Sequence, residues 1–324
     1  MKPIDHLSPA QLPVVDIAPA LTADPDFDSV AADIARAVNL SGFFYLRGHG
    51  IDPARLRSLV AQMREFFEAD PVERAAVRIN QNNRGWLAPG EARMKGARLH
   101  DLKEVFFFGR ELADDDPDLL AGVPLCAPNQ WPPNRPAFKA ATLAYLADIH
   151  QAARALLGGF ARHLGREANF FERFYERPMT RGQLIHYPTM PDAMAADQFG
   201  VAEHSDFGCI TLLHQETPGL EVLTRQGDWM TVPPVSGHLV VNIGDLLERW
   251  TDGALPSTRH RVRNLTGASR YSIAIFYDPS PTAIIDPADL CAPRADGTPR
   301  QSFQPIGAAD YIMSQNRAVF AQYR

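Results

Sequence analysis

The sequence predicts an α+β fold, with helices in the first half flanking a β-sandwich or jelly roll built mainly from the second half. Two observations carry this. Apolar residues recur at helical spacing up to about residue 164. After Pro178, short runs rich in Val, Ile, Leu and Thr are punctuated by Gly, Pro and Asp roughly every ten residues. The chain has 324 residues, 45% hydrophobic and 22% charged, which is ample apolar material for a sizeable core.

Taken in order, Pro13–Ile17 reads as a short strand. Ser29 to Asn39 carries Val30, Ile34 and Val38 on one helical face, ended by Ser41-Gly42. Phe43-Phe44-Tyr45-Leu46 is aromatic enough for a buried strand. Pro53 opens a helix through Leu56, Leu59, Met63 and Phe67, because proline fits the first turn, where its missing N–H is not needed. Residues 81–96 are loop-like, Lys103 to Phe108 strand-like, and 114–136 a Pro-rich connection. Ala137 to Leu164 is helical, with Gly158-Gly159 as a break or a close-packing point. Strands are predicted near 182–187, 202–206, 208–214, 220–224, 229–232, 238–243, 259–264 and 270–277. A helix over Ala308–Tyr323 closes the chain.

Composition excludes several classes. No uninterrupted apolar run approaches the ~18 residues a membrane span needs, and the N-terminus lacks a signal-peptide core. A net charge of −6 supplies no basic field for nucleic acid. Cys126, Cys209 and Cys291 are odd in number and widely spaced, which suits a reducing compartment. A cytoplasmic protein with a small-molecule partner, and no membrane or nucleic-acid partner, is the expectation. Its oligomeric state is left open.

The chemistry-bearing pattern is His204-Ser205-Asp206, followed by His260 after 53 intervening residues. On a strand, positions i and i+2 share a face, so His204 and Asp206 converge and a histidine from a neighbouring strand completes a facial triad. Two imidazoles and one carboxylate suit Fe(II) and leave coordination positions open. A His-x-Asp alone is common by chance, and His49, His214 and His238 read as turn, core-edge or surface residues. A second cluster, Arg270-Tyr271-Ser272, begins the last long strand. Arg270, Ser272, Ala274 and Phe276 share one face there, and Tyr271, Ile273, Ile275 and Tyr277 the other. A guanidinium beside a hydroxyl is a receptor for a ligand carboxylate. The bland alternative is a surface arginine paired with Asp278 or Glu248.

His204-x-Asp206, His260 and Arg270-x-Ser272 resemble the signature of the iron(II)/2-oxoglutarate-dependent dioxygenases, in the isopenicillin N synthase-like branch. The resemblance runs along nearly the whole chain. It includes Leu12–Asp16, Gly42–Leu46 with Gly48–Ile51, Arg84-Gly85-Trp86 with Gly90-Glu91, Asp101–Glu104, Tyr187-Pro188 and Val241–Asp245. It implies a double-stranded β-helix (jelly roll) core flanked by helices, within a single catalytic unit over 1–324. That unit comprises a helix-rich region over 1–177, the core with the metal site over 178–307, and a C-terminal helix over 308–324. It further implies Fe(II) on His204, Asp206 and His260. The co-substrate 2-oxoglutarate would lie against Arg270, Ser272 and Tyr187, with O2 as oxidant. Decarboxylation of 2-oxoglutarate would then be coupled to hydroxylation, desaturation or cyclisation of a small organic substrate.

One position departs from the pattern. Many 2-oxoglutarate-using relatives carry Asn two residues before the tyrosine, where this chain has Ile185. That favours, as the alternative, an isopenicillin N synthase-like oxidase that uses O2 without 2-oxoglutarate. A non-enzymatic metal-binding protein and a zinc hydrolase rank lower. The hydrolase would need a general base, and the nearest candidate, Glu203, alternates away from His204 and Asp206. For the prime substrate, Arg84, Trp86, Lys95, His100, His186 and Phe276 are candidate contacts, and a positive lid would favour an anionic or amino-acid-like molecule.

Overall fold

The computed structural model describes residues 12–38, 41–94, 97–189, 199–264, 267–291 and 303–319. The first half comprises β1 (Val14–Asp16), α1 (Phe27–Val38), β2 (Phe43–Arg47), α2 (Pro53–Phe67), α3 (Pro71–Ala75), β3 (Gly85–Leu87), β4 (Glu104–Gly109), α4 (Pro117–Leu120) and α5 (Pro136–His163). There follow β5 (Met179–Tyr187), β6 (Val201–His204), β7 (Ile210–Gln215), β8 (Leu220–Leu223), β9 (Trp229–Val232) and β10 (Leu239–Ile243). The chain continues with α6 (Asp245–Trp250), β11 (His260–Val262), β12 (Arg270–Asp278), β13 (Ile284–Ile285), β14 (Ile306–Gly307) and α7 (Ala308–Val319).

Two sheets form the jelly roll. The major sheet runs β1-β2-β10-β7-β12-β5-β4-β3, and the minor sheet β6-β11-β8-β9. Four strands of the major sheet thus come from the first 110 residues. Alternation along each strand separates two apolar layers. Tyr271, Ile273, Ile275 and Tyr277 of β12 face a core filled by the helices. Ala274 and Phe276 face the space between the sheets, with Phe43, Ile185, Leu220 and Val222.

α5 is continuous through Gly158-Gly159, so the pair is a close-packing point. A Cβ on Gly159 would sit 2.4 Å from Val30 Cγ1, and one on Gly158 would sit 2.4 Å from Phe27 Cε1. Their absence lets α1 lie directly on α5.

The predicted strands are all present, with ends shifted by a few residues. Three short elements fall where the sequence reads as loop or connection: β3 within 81–96, α4 within 114–136, and α6 after β10. β3 owes its strand state to pairing with β4 rather than to its own residues. The predicted strand over 202–206 ends at His204, so Asp206 does not share a strand face with it. Asp206 lies in the turn that follows, anchored by the Asp245 N–H donating to its backbone carbonyl at 2.7 Å. The last residues of the predicted helix over 308–323 lie outside the described residues, as does Lys95.

Candidate active site

Strand register assembles the triad. His260 on β11 is directly opposite His204 on β6, and their rings lie 4.3 Å apart. The turn after β6 brings Asp206 Oδ1 to 3.7 Å from the Nε2 atom of each histidine. One ligand atom from each residue lies within 4.8 Å of the others, and among the described residues this is the one such cluster of three.

The remaining polar atoms of the triad are committed to the protein. His204 Nδ1 pairs with the Ala202 carbonyl at 2.8 Å and His260 Nδ1 with the Thr258 carbonyl at 3.1 Å. A carbonyl only accepts, so each Nδ1 carries the proton and each Nε2 presents a lone pair to the cavity. Asp206 Oδ2 accepts from Thr211 Oγ1 at 2.5 Å and Asn242 Nδ2 at 2.8 Å. Thr211 and Asn242 face each other across β7 and β10, so one register pair places both donors.

Burial, reinforced by His260, depresses the pKa of His204 and keeps it neutral. Burial alone would raise Asp206. His260, His204 and the two side-chain donors outweigh it and hold the carboxyl below its ordinary range. Two imidazole lone pairs and one carboxylate oxygen converging without a protein donor between them form the donor set of an open Fe(II) site.

The second cluster is also built by register. Arg270 on β12 lies opposite Tyr187 on β5, and Ser272 lies opposite Gln215 on β7. Arg270 is 1% exposed, which removes the surface-arginine alternative; Asp278 instead binds Arg181. The Arg270 guanidinium donates to Gln215 Oε1 at 2.9 Å and Ser272 Oγ at 3.3 Å, and lies 4.7 Å from the centre of the Tyr187 ring. Burial draws its pKa down. Among the described residues no carboxylate comes within ion-pair distance of it. A buried, uncompensated guanidinium flanked by neutral hydrogen-bonding groups suits a ligand carboxylate. Gly219, at φ +148°, passes so close that a Cβ there would be 3.0 Å from Arg270 Nε.

A cavity of about 830 Å³, counted out to its mouth, opens onto the triad. Its wall is mostly apolar, including Phe43, Met94, Ile185, Leu213, Val262 and Phe276. Of the candidate substrate contacts, Phe276 lines it, with the Arg181 guanidinium 4.8 Å from its ring centre. Four others are placed elsewhere. Arg84 is buried and donates to the carbonyls of Asn82, Asn83 and Leu125. Trp86 Nε1 and His186 Nδ1 both reach Glu104, at 2.8 and 2.6 Å. On β5 the odd positions Arg181, Gln183, Ile185 and Tyr187 face the cavity, so His186 turns to the helical side and stacks on Tyr271. His100 is exposed, and Glu203 points away to Arg259. The cavity also takes Lys103, Arg181, Gln183 and Asn316, which the sequence reading did not single out as contacts.

A jelly roll holding a two-histidine, one-carboxylate cluster defines the class of mononuclear non-haem iron enzymes. Residues 179–279 match the profile of the 2OG-Fe(II) oxygenase superfamily, and residues 12–134 that of the non-haem dioxygenase in morphine synthesis N-terminal region. The homoarginine-6-hydroxylase 2-ODD-C23 of Glycine max is 32% identical over 89% of this chain and 91% of its own. The 2-oxoglutarate-dependent dioxygenase citB of Monascus ruber is 36% identical over 85% and 87%. Among solved structures, a 2OG-Fe(II) oxygenase family protein from Caulobacter crescentus superposes with a TM-score of 0.81 at 30% identity, covering 95% of this chain and 98% of that one. A full-length Neurospora crassa protein solved in complex with alpha-KG gives 0.78 at 26%, covering 93% and 94%.

The chain belongs to the 2OG-Fe(II) oxygenase superfamily, in its isopenicillin N synthase-like branch. It is an Fe(II)/2-oxoglutarate-dependent dioxygenase acting on a small molecule. The 2-oxoglutarate-dependent relatives fit this reading and not the oxidase that dispenses with the co-substrate. Ile185, whose identity favoured that oxidase, forms part of the apolar wall while the Arg270 cluster stands intact beside it. No helix among the described residues is long and apolar enough to cross a membrane.

Proposed function

We propose that His204, Asp206 and His260 hold the Fe(II), and that Arg270, Ser272 and Tyr187 receive the distal carboxylate of 2-oxoglutarate. The observation that supports this best is the pairing of two unsatisfied sites. One is a cluster whose converging atoms, two Nε2 and one Oδ1, are all lone-pair donors without a proton; the other is a buried guanidinium with no counter-ion among the described residues. When bound, iron and 2-oxoglutarate supply O2 activation coupled to decarboxylation, giving succinate, CO2 and an oxidised substrate.

The chain's own residues do the rest. Thr211 and Asn242 keep Asp206 ionised and turned toward the histidines. The carbonyls of Ala202 and Thr258 fix both ring tautomers. Phe43, whose ring centre is 5.3 Å from that of His260, and the surrounding apolar wall exclude water, so that oxidising power is directed at the substrate. Residues 1–324 act in this reading as a single catalytic unit. The free thiols of Cys126 and Cys209 suit a cytoplasmic setting, and the net charge of −6 argues against a nucleic-acid partner.

Anaerobic titration with Fe(II) and then 2-oxoglutarate, following the visible charge-transfer band of the complex, tests the assignment. Asp206→Ala should abolish iron binding. Arg270→Gln should bind iron normally and weaken 2-oxoglutarate by at least about tenfold, since a charge-assisted pair is worth ~1.5–3 kcal/mol. Unchanged 2-oxoglutarate affinity in Arg270→Gln would remove its role.

A further inference from the structure

Among the described residues, one fully buried side-chain nitrogen of the cavity wall has no protein partner. Asn316, on α7, is 1% exposed and lines the cavity, yet its Nδ2 finds no hydrogen-bond acceptor. A buried amide N–H left unpaired costs ~1–3 kcal/mol, so this position calls for an acceptor from a ligand.

The charges around it narrow what that ligand is. Among the described residues, two cations line the cavity, and each has its own carboxylate. Lys103 Nζ lies 3.8 Å from Asp101 Oδ2, and Arg181 donates to Asp278 through Nε and Nη2 at 3.0 and 2.8 Å. The uncompensated cation, Arg270, is taken by 2-oxoglutarate in the reading above, on which this inference rests. A prime substrate bringing a further negative charge would meet no free positive one among the described residues. An uncharged acceptor meets the Asn316 amide at no electrostatic cost, and the rest of the wall is hydrocarbon and aromatic.

We propose that Asn316 is a specificity-determining residue that donates a hydrogen bond to the prime substrate, and that this substrate is a largely apolar molecule presenting an uncharged carbonyl oxygen. This replaces the expectation of an anionic substrate under a positive lid. Arg84, one of its two cations, is engaged elsewhere, and Lys95 lies outside the described residues.

The test uses the anaerobic holoenzyme loaded with Fe(II) and 2-oxoglutarate, whose binding is confirmed first on the same sample. Benzamide, benzoate and toluene present one ring with a neutral carbonyl, an anion or neither, and their affinities are read by calorimetric titration. Benzamide is expected to bind at least about tenfold more tightly than benzoate. Asn316→Leu should weaken benzamide by about tenfold, one neutral hydrogen bond, and leave toluene unchanged. Thermal unfolding of the ligand-free Asn316→Leu protein should show no loss of stability, because an apolar group replaces an unpaired amide. The proposal is overturned if benzoate binds more tightly than benzamide, if benzamide does not bind, or if it binds the variant as well as the parent. It is also overturned if the variant melts several degrees lower, which would make the amide structural. Failure to bind 2-oxoglutarate would instead strike the assignment of Arg270.

Discussion

Asn242→Leu offers the sharpest test of how the metal cluster is held. Leucine keeps the branching and the number of side-chain heavy atoms of asparagine but is bulkier, so the change deletes a hydrogen bond and adds some volume beside the cavity. The bond lost is the 2.8 Å contact to Asp206 Oδ2, one of two that this oxygen accepts. A hydrogen bond to a charged group contributes ~1.5–3 kcal/mol, which at 1.4 kcal/mol per decade is roughly a 10–150-fold change. Groups that orient metal ligands typically contribute about 10–100-fold in affinity. Anaerobic Fe(II) titration should therefore show iron binding weakened by about one to two decades. Thr211→Val, which removes the facing donor, should act similarly. The double variant should lose more than the product of the two, because it leaves a buried carboxylate oxygen with no donor. Iron affinity within twofold of the parent in both single variants, with melting temperatures unchanged, would refute this account of Asp206.

Two further outcomes follow from other parts of the structure. Gly219→Ala should drive a methyl group against Arg270 and force a φ of +148° on an L-residue; calorimetry should show 2-oxoglutarate weakened at least about tenfold while Fe(II) affinity stays within twofold. His150, in α5, has its pKa pulled down by burial to about 4, with Arg110 adding to the shift. A depressed histidine stabilises the fold fully above its unfolded value near 6.5 and loses that contribution as pH falls toward 4. The shift corresponds to about 3 kcal/mol; urea unfolding of the metal-free protein at pH 7 and pH 4.5 should lose less stability in His150→Gln than in the parent, and an equal loss would refute it.

Much of this architecture was legible in the sequence. Short apolar runs between turn residues located every strand of the two large sheets except β3, because those strands alternate between two buried layers. The residues proposed to hold iron and co-substrate were legible because that chemistry demands fixed residue types at positions set by strand pairing. The partners of those residues were not. Asn242 and Thr211 are 31 residues apart and become neighbours only through the pairing of β10 with β7, a register that local pattern does not encode. Asn316 is equally silent: on an amphipathic helix it reads as one more polar residue, and only its docking on the cavity gives it meaning. His186 and Trp86 misled for the opposite reason. Both lie beside family-like motifs, but strand alternation and Glu104 take them to the far face of the sheet.

The order of strands in the major sheet also sets a schedule for synthesis. β2 is complete once residue 47 has been made, and one of its edges can pair at once with β1. Its other edge waits for β10, roughly 190 residues later. At about 5–20 residues per second of translation, that edge stands open for ~10–40 s. During that time an aromatic strand, Phe43-Phe44-Tyr45, offers unpaired backbone to whatever is near. The helix α1 precedes the strand, α2 and α5 emerge within this interval, and together they can shelter one face of the strand, but not its edge. The N-terminal region is therefore made first and closed late. The arrival of β10 closes that edge and delivers Asn242 toward Asp206 in the same event, before β12 joins β7 to β5.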